Sequence, residues 1–92
     1  MTIAKDSSPL PDGRSLLTLP RLKEARVLSV ADHRAGDVIA RRLRELGFVP
    51  GELVRVVAQG PLGGDPLLVQ VGFTRFALRR AEAERVQVEP LP

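Results

Sequence analysis

The residue types that most often carry catalysis or bind metals are scarce in this chain of 92 residues, which has one histidine and no cysteine. The histidine, His33, stands between Asp32 and Arg34 in a polar segment. A transition-metal site needs several histidine, cysteine or carboxylate side chains that converge on one point. We therefore interpret His33 as a surface residue and expect neither a resident metal nor a cofactor.

Two further segments carry part of a chemical motif. Gly60 to Pro66 is rich in glycine, but it lacks the Gly-Lys-Ser/Thr ending that places a lysine on phosphates and a hydroxyl on magnesium. Asp32 and Asp37 could bind a hard cation with loop carbonyls, yet they lack the spacing of a calcium loop and Arg34 lies between them. We expect a hairpin loop in the first segment, and helix capping and solubility as the roles of the two acids.

Hydroxyl nucleophiles are equally poorly supported. Ser29 and Thr74 are candidates in the folded part, and nothing in the sequence shows that the one histidine activates either of them. We predict that the protein is not an enzyme and that it works through its surface.

The surface candidates are charged and apolar side chains. Lysine and arginine number 14 against 11 acids, which gives a formal charge of +3 and slightly favours an anionic partner. The arginines Arg41, Arg42 and Arg44, with Arg79, Arg80 and Arg85 near the carboxyl end, could form one basic region. Apolar residues predicted at loop tips could anchor a partner, and these are Leu62, Leu67 and Phe73.

Nucleic acid is a less favoured partner than protein. Proteins that bind single strands usually stack bases on aromatic side chains, and this chain has three phenylalanines without tyrosine or tryptophan. A nucleic-acid-binding module or an unrelated adaptor remains the alternative interpretation.

The elements that must position these side chains form a small, mainly β domain. Alternating apolar residues and turn residues predict strands over Ala25 to Val30, Leu53 to Gln59, Leu67 to Val71, Thr74 to Leu78 and Val86 to Glu89. A helix over Val38 to Leu46 falls between the first and second strands, and a helical turn over Arg79 to Glu84 precedes the last. Five short strands with one inserted helix indicate a small barrel.

The predicted helix has clear ends. Asp37 is a suitable N-cap, and Gly47 can adopt the left-handed conformation that ends a helix. Pro50 and Gly51 then occupy the second and third positions of a predicted type II turn. The helix should therefore pass abruptly into the second strand.

The N-terminal segment differs in composition from the rest of the chain. Residues 1–14 contain few apolar side chains and are predicted to be a flexible tail, while residues 15–92 form the domain. Ser15 to Leu22 could pack one short turn onto the barrel. The sequence has no apolar stretch of the length that a signal peptide or spanning helix requires, so we expect a cytoplasmic protein without direct membrane insertion.

The segment Arg42-Leu43-x-x-Leu46-Gly47-x-x-Pro50-Gly51-x-x-Val54 leads from the predicted helix into the second strand. It resembles the helix-to-strand signature of the FeoA family. The family's Pro-x-Gly-Asp-Pro loop is similar to Gly63-Gly64-Asp65-Pro66. Its closing segment is similar to Ala77-Leu78-Arg79-x-x-Glu82-Ala83-x-x-Val86-x-Val88. The order and spacing agree over nearly the whole predicted domain.

The resemblance implies a fold and a role. It implies an SH3-like β-barrel and a non-catalytic accessory role in bacterial ferrous iron uptake, with the membrane iron transporter FeoB as partner on its cytoplasmic side. A ferrous iron chaperone is disfavoured because ligands are few, and homo-oligomers are possible through exposed strand edges. The matching motif residues assigned to the scaffold are Leu43, Leu46, Gly47, Pro50, Gly51, Asp65, Pro66, Leu78 and Arg79.

Overall fold

The structure is a computed structural model that describes residues 14–92. The predicted tail lies outside the described residues except for Arg14. Five strands and two short helices follow in chain order: β1 (Ala25–Val30), α1 (Val38–Leu46), β2 (Leu53–Gly60), β3 (Gly64–Val71), β4 (Thr74–Leu78), α2 (Arg80–Ala83) and β5 (Val86–Pro90). The predicted helix and the predicted first and fourth strands have these same bounds.

All strands pair antiparallel in one sheet with the order β4-β3-β2-β1-β5. The long β2–β3 hairpin forms one part, and β1 with β5 forms the other. Between these parts β1 and β2 pair only through Ala25 with Val54 and Arg26 with Leu53. The predicted mainly β, SH3-like architecture is confirmed, although the described sheet is not closed into a barrel: β4 is an open edge, and β5 is bordered by the bridge from Ser15.

The core lies between the inner face of the sheet and α1. Valines at alternate positions of β2 and β3 point inward, and Val54 and Val56 pair with Val71 and Val69. Phe48 is fully buried, and its ring centroid lies 5.9 Å from that of Phe76. Burying each large apolar side chain stabilises the fold by roughly 1.5–3 kcal/mol. The core therefore fixes α1 against the sheet.

The end of α1 delivers Phe48 to this core. Gly47 adopts a left-handed conformation with φ 117°, as predicted. The Phe48 N–H donates to the Leu43 carbonyl at 3.1 Å and the Gly47 N–H to the Arg44 carbonyl at 3.1 Å. This pair of bonds is a Schellman motif, which satisfies carbonyls that the helix end leaves free.

The predicted turn after the helix is also confirmed. The Glu52 N–H donates to the Val49 carbonyl at 3.1 Å, and Gly51 has φ 92° at the third position. The Gly51 N–H then donates to the carbonyl of Val27 at 2.8 Å. The turn is thereby attached to β1 before β2 begins.

The β2–β3 connection is shorter than the predicted loop. β2 continues to Gly60 and β3 already starts at Gly64, so Asp65 and Pro66 belong to the strand. A Cβ on Gly60 would lie 2.6 Å from the carbonyl oxygen of Asp65. Only glycine permits this approach, which explains how a glycine-rich segment continues the sheet.

Ser15 to Leu22 forms short turns against the sheet, as predicted, with one exception. Leu16 and Leu19 are buried in the core, and Ser15 bridges to Gln87 beside β5. Leu22 is half exposed and has a positive φ of 68°, so its predicted packing onto the barrel is wrong. Its N–H donates to the Val56 carbonyl at 2.8 Å, which ties the backbone rather than the side chain to the sheet.

Gly60→Ala should lower the free energy of unfolding by about 1–3 kcal/mol, because the new methyl group collides with backbone and forces the hairpin apart. Urea denaturation followed by circular dichroism measures this change. Leu62→Ala, at the exposed tip of the same hairpin, is the control and should change stability by less than about 0.5 kcal/mol. Equal stability of Gly60→Ala and the unmodified chain would refute the close approach.

Candidate functional site

The three arginines of α1 do not share one face. Arg44 Nη2 donates to the Val30 carbonyl at 2.8 Å and lies 3.0 Å from Asp32 Oδ2. Arg41 and Arg44 line a hollow formed with the loop that precedes the helix, whereas Arg42 lines a groove toward β4. Residues two apart in a helix differ by about 200° in direction. The structure therefore separates Arg42 from Arg44.

Arg85 does not belong to a basic surface. Its exposed fraction is 5%, and its Nε donates to Asp37 Oδ2 at 2.8 Å. Arg79 and Arg80 are exposed, as expected of surface residues. The prediction that Arg85 joins them is wrong because the guanidinium turns inward to meet a buried carboxylate.

Asp37 is the centre of a buried polar cluster. Oδ1 accepts the N–H groups of Ile39 at 3.1 Å and Ala40 at 3.3 Å, which confirms the predicted N-cap. Oδ2 accepts the His33 N–H at 2.8 Å and the Arg85 guanidinium. The hydrogen bond from Arg85 contributes most to holding the pKa of Asp37 well below its usual range, and the His33 N–H adds to it. Burial acts in the opposite direction and is outweighed.

Sequence reasoning missed this pair. Asp37 and Arg85 are 48 positions apart, so no local spacing connects them. The alternation of Val86 and Val88 even predicts that Arg85 faces solvent. One signal could have indicated the pair. Asp37 has two carboxylate oxygens, and the N-cap uses only one of them, so the other oxygen needs a hydrogen-bond donor when it is buried.

The apolar candidates lie far apart. Leu62, at the tip of the β2–β3 hairpin, is 78% exposed, and Phe73, in the β3–β4 turn, is fully exposed. They flank opposite ends of the eight-residue strand β3, which spans about 23 Å at ~3.3 Å per residue. Leu67 is only 5% exposed, so its predicted place at a loop tip is wrong. It is an inward-facing residue of β3 because the strand starts three residues earlier than predicted.

The motif residues assigned to the scaffold hold elements together. Leu43 and Leu78 are buried, and Leu46 packs at the edge of the core. Asp65 Oδ1 accepts the N–H of Arg80 at 3.2 Å, which caps the start of α2 from β3. The Arg79 N–H donates to Glu82 Oε1 at 2.7 Å. Pro66 is half buried in β3, while Pro50 and Gly51 remain at the surface in their turn.

A groove runs between α1 and β4, with a volume of about 320 Å³. Its lining is mostly apolar: Val38, Ile39, Leu43 and Leu46 from α1, and Phe76, Ala77 and Leu78 from β4, with Arg42 and Glu82 as the charged members. Val38 is 59% exposed. Among the concavities formed by the described residues, this groove combines the apolar face of a helix with a free strand edge.

The described part of the chain lacks both a cluster of metal ligands and a membrane-spanning helix. Residues 14–92 contain no group of three or more histidine, cysteine, aspartate or glutamate side chains arranged to hold a metal ion. No helix within those residues is long and apolar enough to cross a membrane.

The fold and these surfaces define a small SH3-like domain with a helix inserted between its first two strands. The FeoA domain model matches residues 14–90, so the chain belongs to the FeoA family. FeoA of Stenotrophomonas maltophilia is 66% identical, with a TM-score of 0.77 over 83% of this chain and 89% of that one. That structure contains zinc, and the protein is described as a prokaryotic SH3 domain protein and a candidate activating factor for ferrous iron transport.

More distant structures extend the same comparison. The FeoA protein of Chlorobium tepidum is 37% identical, with a TM-score of 0.73 over 86% of this chain and 71% of that one. A manganese-dependent transcriptional repressor shares the fold at 20% identity, with a TM-score of 0.73 over 92% of this chain and 45% of the repressor. No curated protein sequence matches this chain. The chain is thus a member of the FeoA family, and one solved member of that family is described as a candidate ferrous iron transport activating factor.

The depressed pKa of Asp37 predicts a pH-dependent stability. Its contribution should be complete above the unfolded-state pKa of about 4 and should be lost as the pH falls below that value, because protonation weakens the bond from Arg85. Urea denaturation between neutral and acidic pH should show a smaller loss of unfolding free energy for Asp37→Asn than for the unmodified chain.

Asp32→Asn is the matched control, because Asp32 also pairs with an arginine but is half exposed. This variant should retain the pH dependence of the unmodified chain. The same pH dependence in Asp37→Asn would contradict the role of the buried carboxylate.

Proposed function

We propose that this protein is a non-catalytic accessory factor of bacterial ferrous iron uptake, which binds and modulates the transporter FeoB on its cytoplasmic side. The observation that carries the proposal is the FeoA domain match over residues 14–90, together with 66% identity to a protein described as a candidate iron transport activating factor. A small domain in this role acts through contacts with a larger protein.

The use of polar groups supports a binding role. Asp37 and Arg85, the buried charged pair, satisfy each other and the start of α1, so their hydrogen-bonding capacity serves the fold. Arg41 and Arg42 remain exposed, and so do the apolar side chains of Leu62 and Phe73. Exposed cations steer association with an acidic surface, and apolar anchors contribute binding energy when they become buried.

The partner-binding role of the α1 arginines is tested by co-purification with FeoB from the same genome. Reversal of Arg41, Arg42 and Arg44 together to glutamate should reduce the recovery of FeoB, because it replaces attraction with repulsion. Reversal of Arg21, Lys23 and Arg55 is the control, since it makes the same charge change outside α1. Circular dichroism must first show that both variants are folded.

Equal recovery with both triple variants would eliminate the α1 arginines as contacts. Failure of the unmodified chain to recover FeoB would contradict the proposed partnership. Radiolabelled ferrous iron provides a second readout, because a strain that lacks this protein should take up the ion more slowly than its parent. Equal uptake rates would contradict the role in transport.

A further inference from the structure

The strand β4 leaves one side of its backbone open. Within residues 14–92, it pairs with β3 alone, and Val71 and Thr74 flank the two-residue turn between the strands. Along an antiparallel strand, the N–H and C=O groups of successive residues point alternately toward the partner strand and away from it. The two residues that flank a two-residue turn point these groups toward each other. Arg75 and Ala77 therefore direct their N–H and C=O groups toward the open edge.

The groove described above borders this same edge. Phe76 and Leu78 point to the inner side of the sheet, and α1 forms the opposite wall with Val38, Ile39 and Leu46. A strand added beside β4 would direct every second side chain into this apolar groove. Its remaining side chains would lie on the outer face of the sheet.

The lining of the groove holds one cation and one anion, and further cations lie beside it along β4. Arg42 lines it from α1, and Arg75, Arg79 and Arg80 are exposed along and just beyond β4. Glu82 is the acid in the lining, and its carboxylate already accepts the Arg79 N–H. This arrangement complements acidic side chains that flank or alternate with apolar ones.

We propose that β4 and the α1–β4 groove bind an extended acidic segment of a partner protein as an additional antiparallel or parallel strand. Backbone groups of Arg75 and Ala77 bond to the segment, its apolar side chains fill the groove beside Val38, and its acids meet the arginines. Recognition of this kind draws affinity from the main chain and specificity from alternate side chains. The identification of the partner as FeoB rests on the function proposed above.

Two substitutions separate the backbone and charge contributions. Ala77→Pro removes an N–H that faces away from β3, so the β3–β4 pairing is kept and only the added strand loses its donor. Ala77→Ser is its control because it keeps the N–H. Arg42→Glu reverses a charge in the groove, and Arg21→Glu makes the same change at an exposed position outside α1 and outside the groove lining.

Affinity is measured by calorimetry with two probes, the purified cytoplasmic portion of FeoB and a short peptide of alternating valine and threonine flanked at both ends by glutamates. All four variants are first compared with the unmodified chain by thermal unfolding. Ala77→Pro and Arg42→Glu should each weaken binding by about tenfold, while Ala77→Ser and Arg21→Glu leave it unchanged. In amide hydrogen exchange, Arg75 and Ala77 should become protected when the probe is bound.

Each outcome decides between the two proposals. Binding of FeoB that is equal in all variants overturns the groove proposal and leaves the partnership standing. Binding of the peptide alone, with the expected variant pattern, supports the groove and contradicts FeoB as the partner. Binding of neither probe overturns both. Should Ala77→Pro prove unfolded, the comparison of Arg42→Glu with Arg21→Glu and the protection of the two amides decide the matter.

Discussion

The buried carboxylate of Asp37 bonds at once to three parts of the chain, the loop before α1, the first turn of α1 and Arg85 at the start of β5. One oxygen caps α1 through the N–H groups of Ile39 and Ala40, and the other accepts from His33 and Arg85. The loop, the helix and the start of β5 are therefore fixed relative to one another. A buried acid is costly unless its lone pairs are satisfied, and here each oxygen accepts two donors.

The opposite end of α1 is fixed by backbone conformation. Gly47 adopts the left-handed region and Phe48 returns to bond with Leu43, so the helix stops after nine residues and the aromatic ring enters the core. The turn at Pro50 and Gly51 then starts β2. Asp37 and Gly47 together hold a short helix that would be marginal by itself. On the outer surface of α1, Arg42 points toward the groove and Arg44 points toward Asp32.

Local chemistry made much of this fold predictable from the sequence. The cap at Asp37, the helix end at Gly47 and the type II turn each depend on neighbouring residues, and all three are confirmed. The site was less predictable because it depends on contacts between distant residues. The alternation after Arg85 predicts that it lies at the surface, and the glycines and prolines before Leu67 predict that it begins its strand close to a loop tip. The first turns inward to satisfy a carboxylate 48 positions away, and the second is buried because Gly60 allows β3 to start early.

This contrast also explains why residue type alone did not locate a binding surface. Leu62 and Phe73 are both exposed, yet β3 separates them along its whole length. The candidate arginines lie in different places. Arg85 belongs to a buried ion pair, Arg44 to an exposed pair with Asp32, and Arg42 lines the groove. The groove itself appears only when the edge strand and the helix are placed side by side.

A double-mutant cycle of Asp37→Asn and Arg85→Met tests the central role of the buried pair most directly. The cycle measures the coupling between the two side chains as the non-additive part of their effects on the free energy of unfolding. The Asp32–Arg44 pair provides the reference, since exposed ion pairs usually couple by about 0.2–1 kcal/mol. We expect the coupling energy between Asp37 and Arg85 to be well above that of the reference pair. Coupling energies that are equal for the two pairs would contradict it.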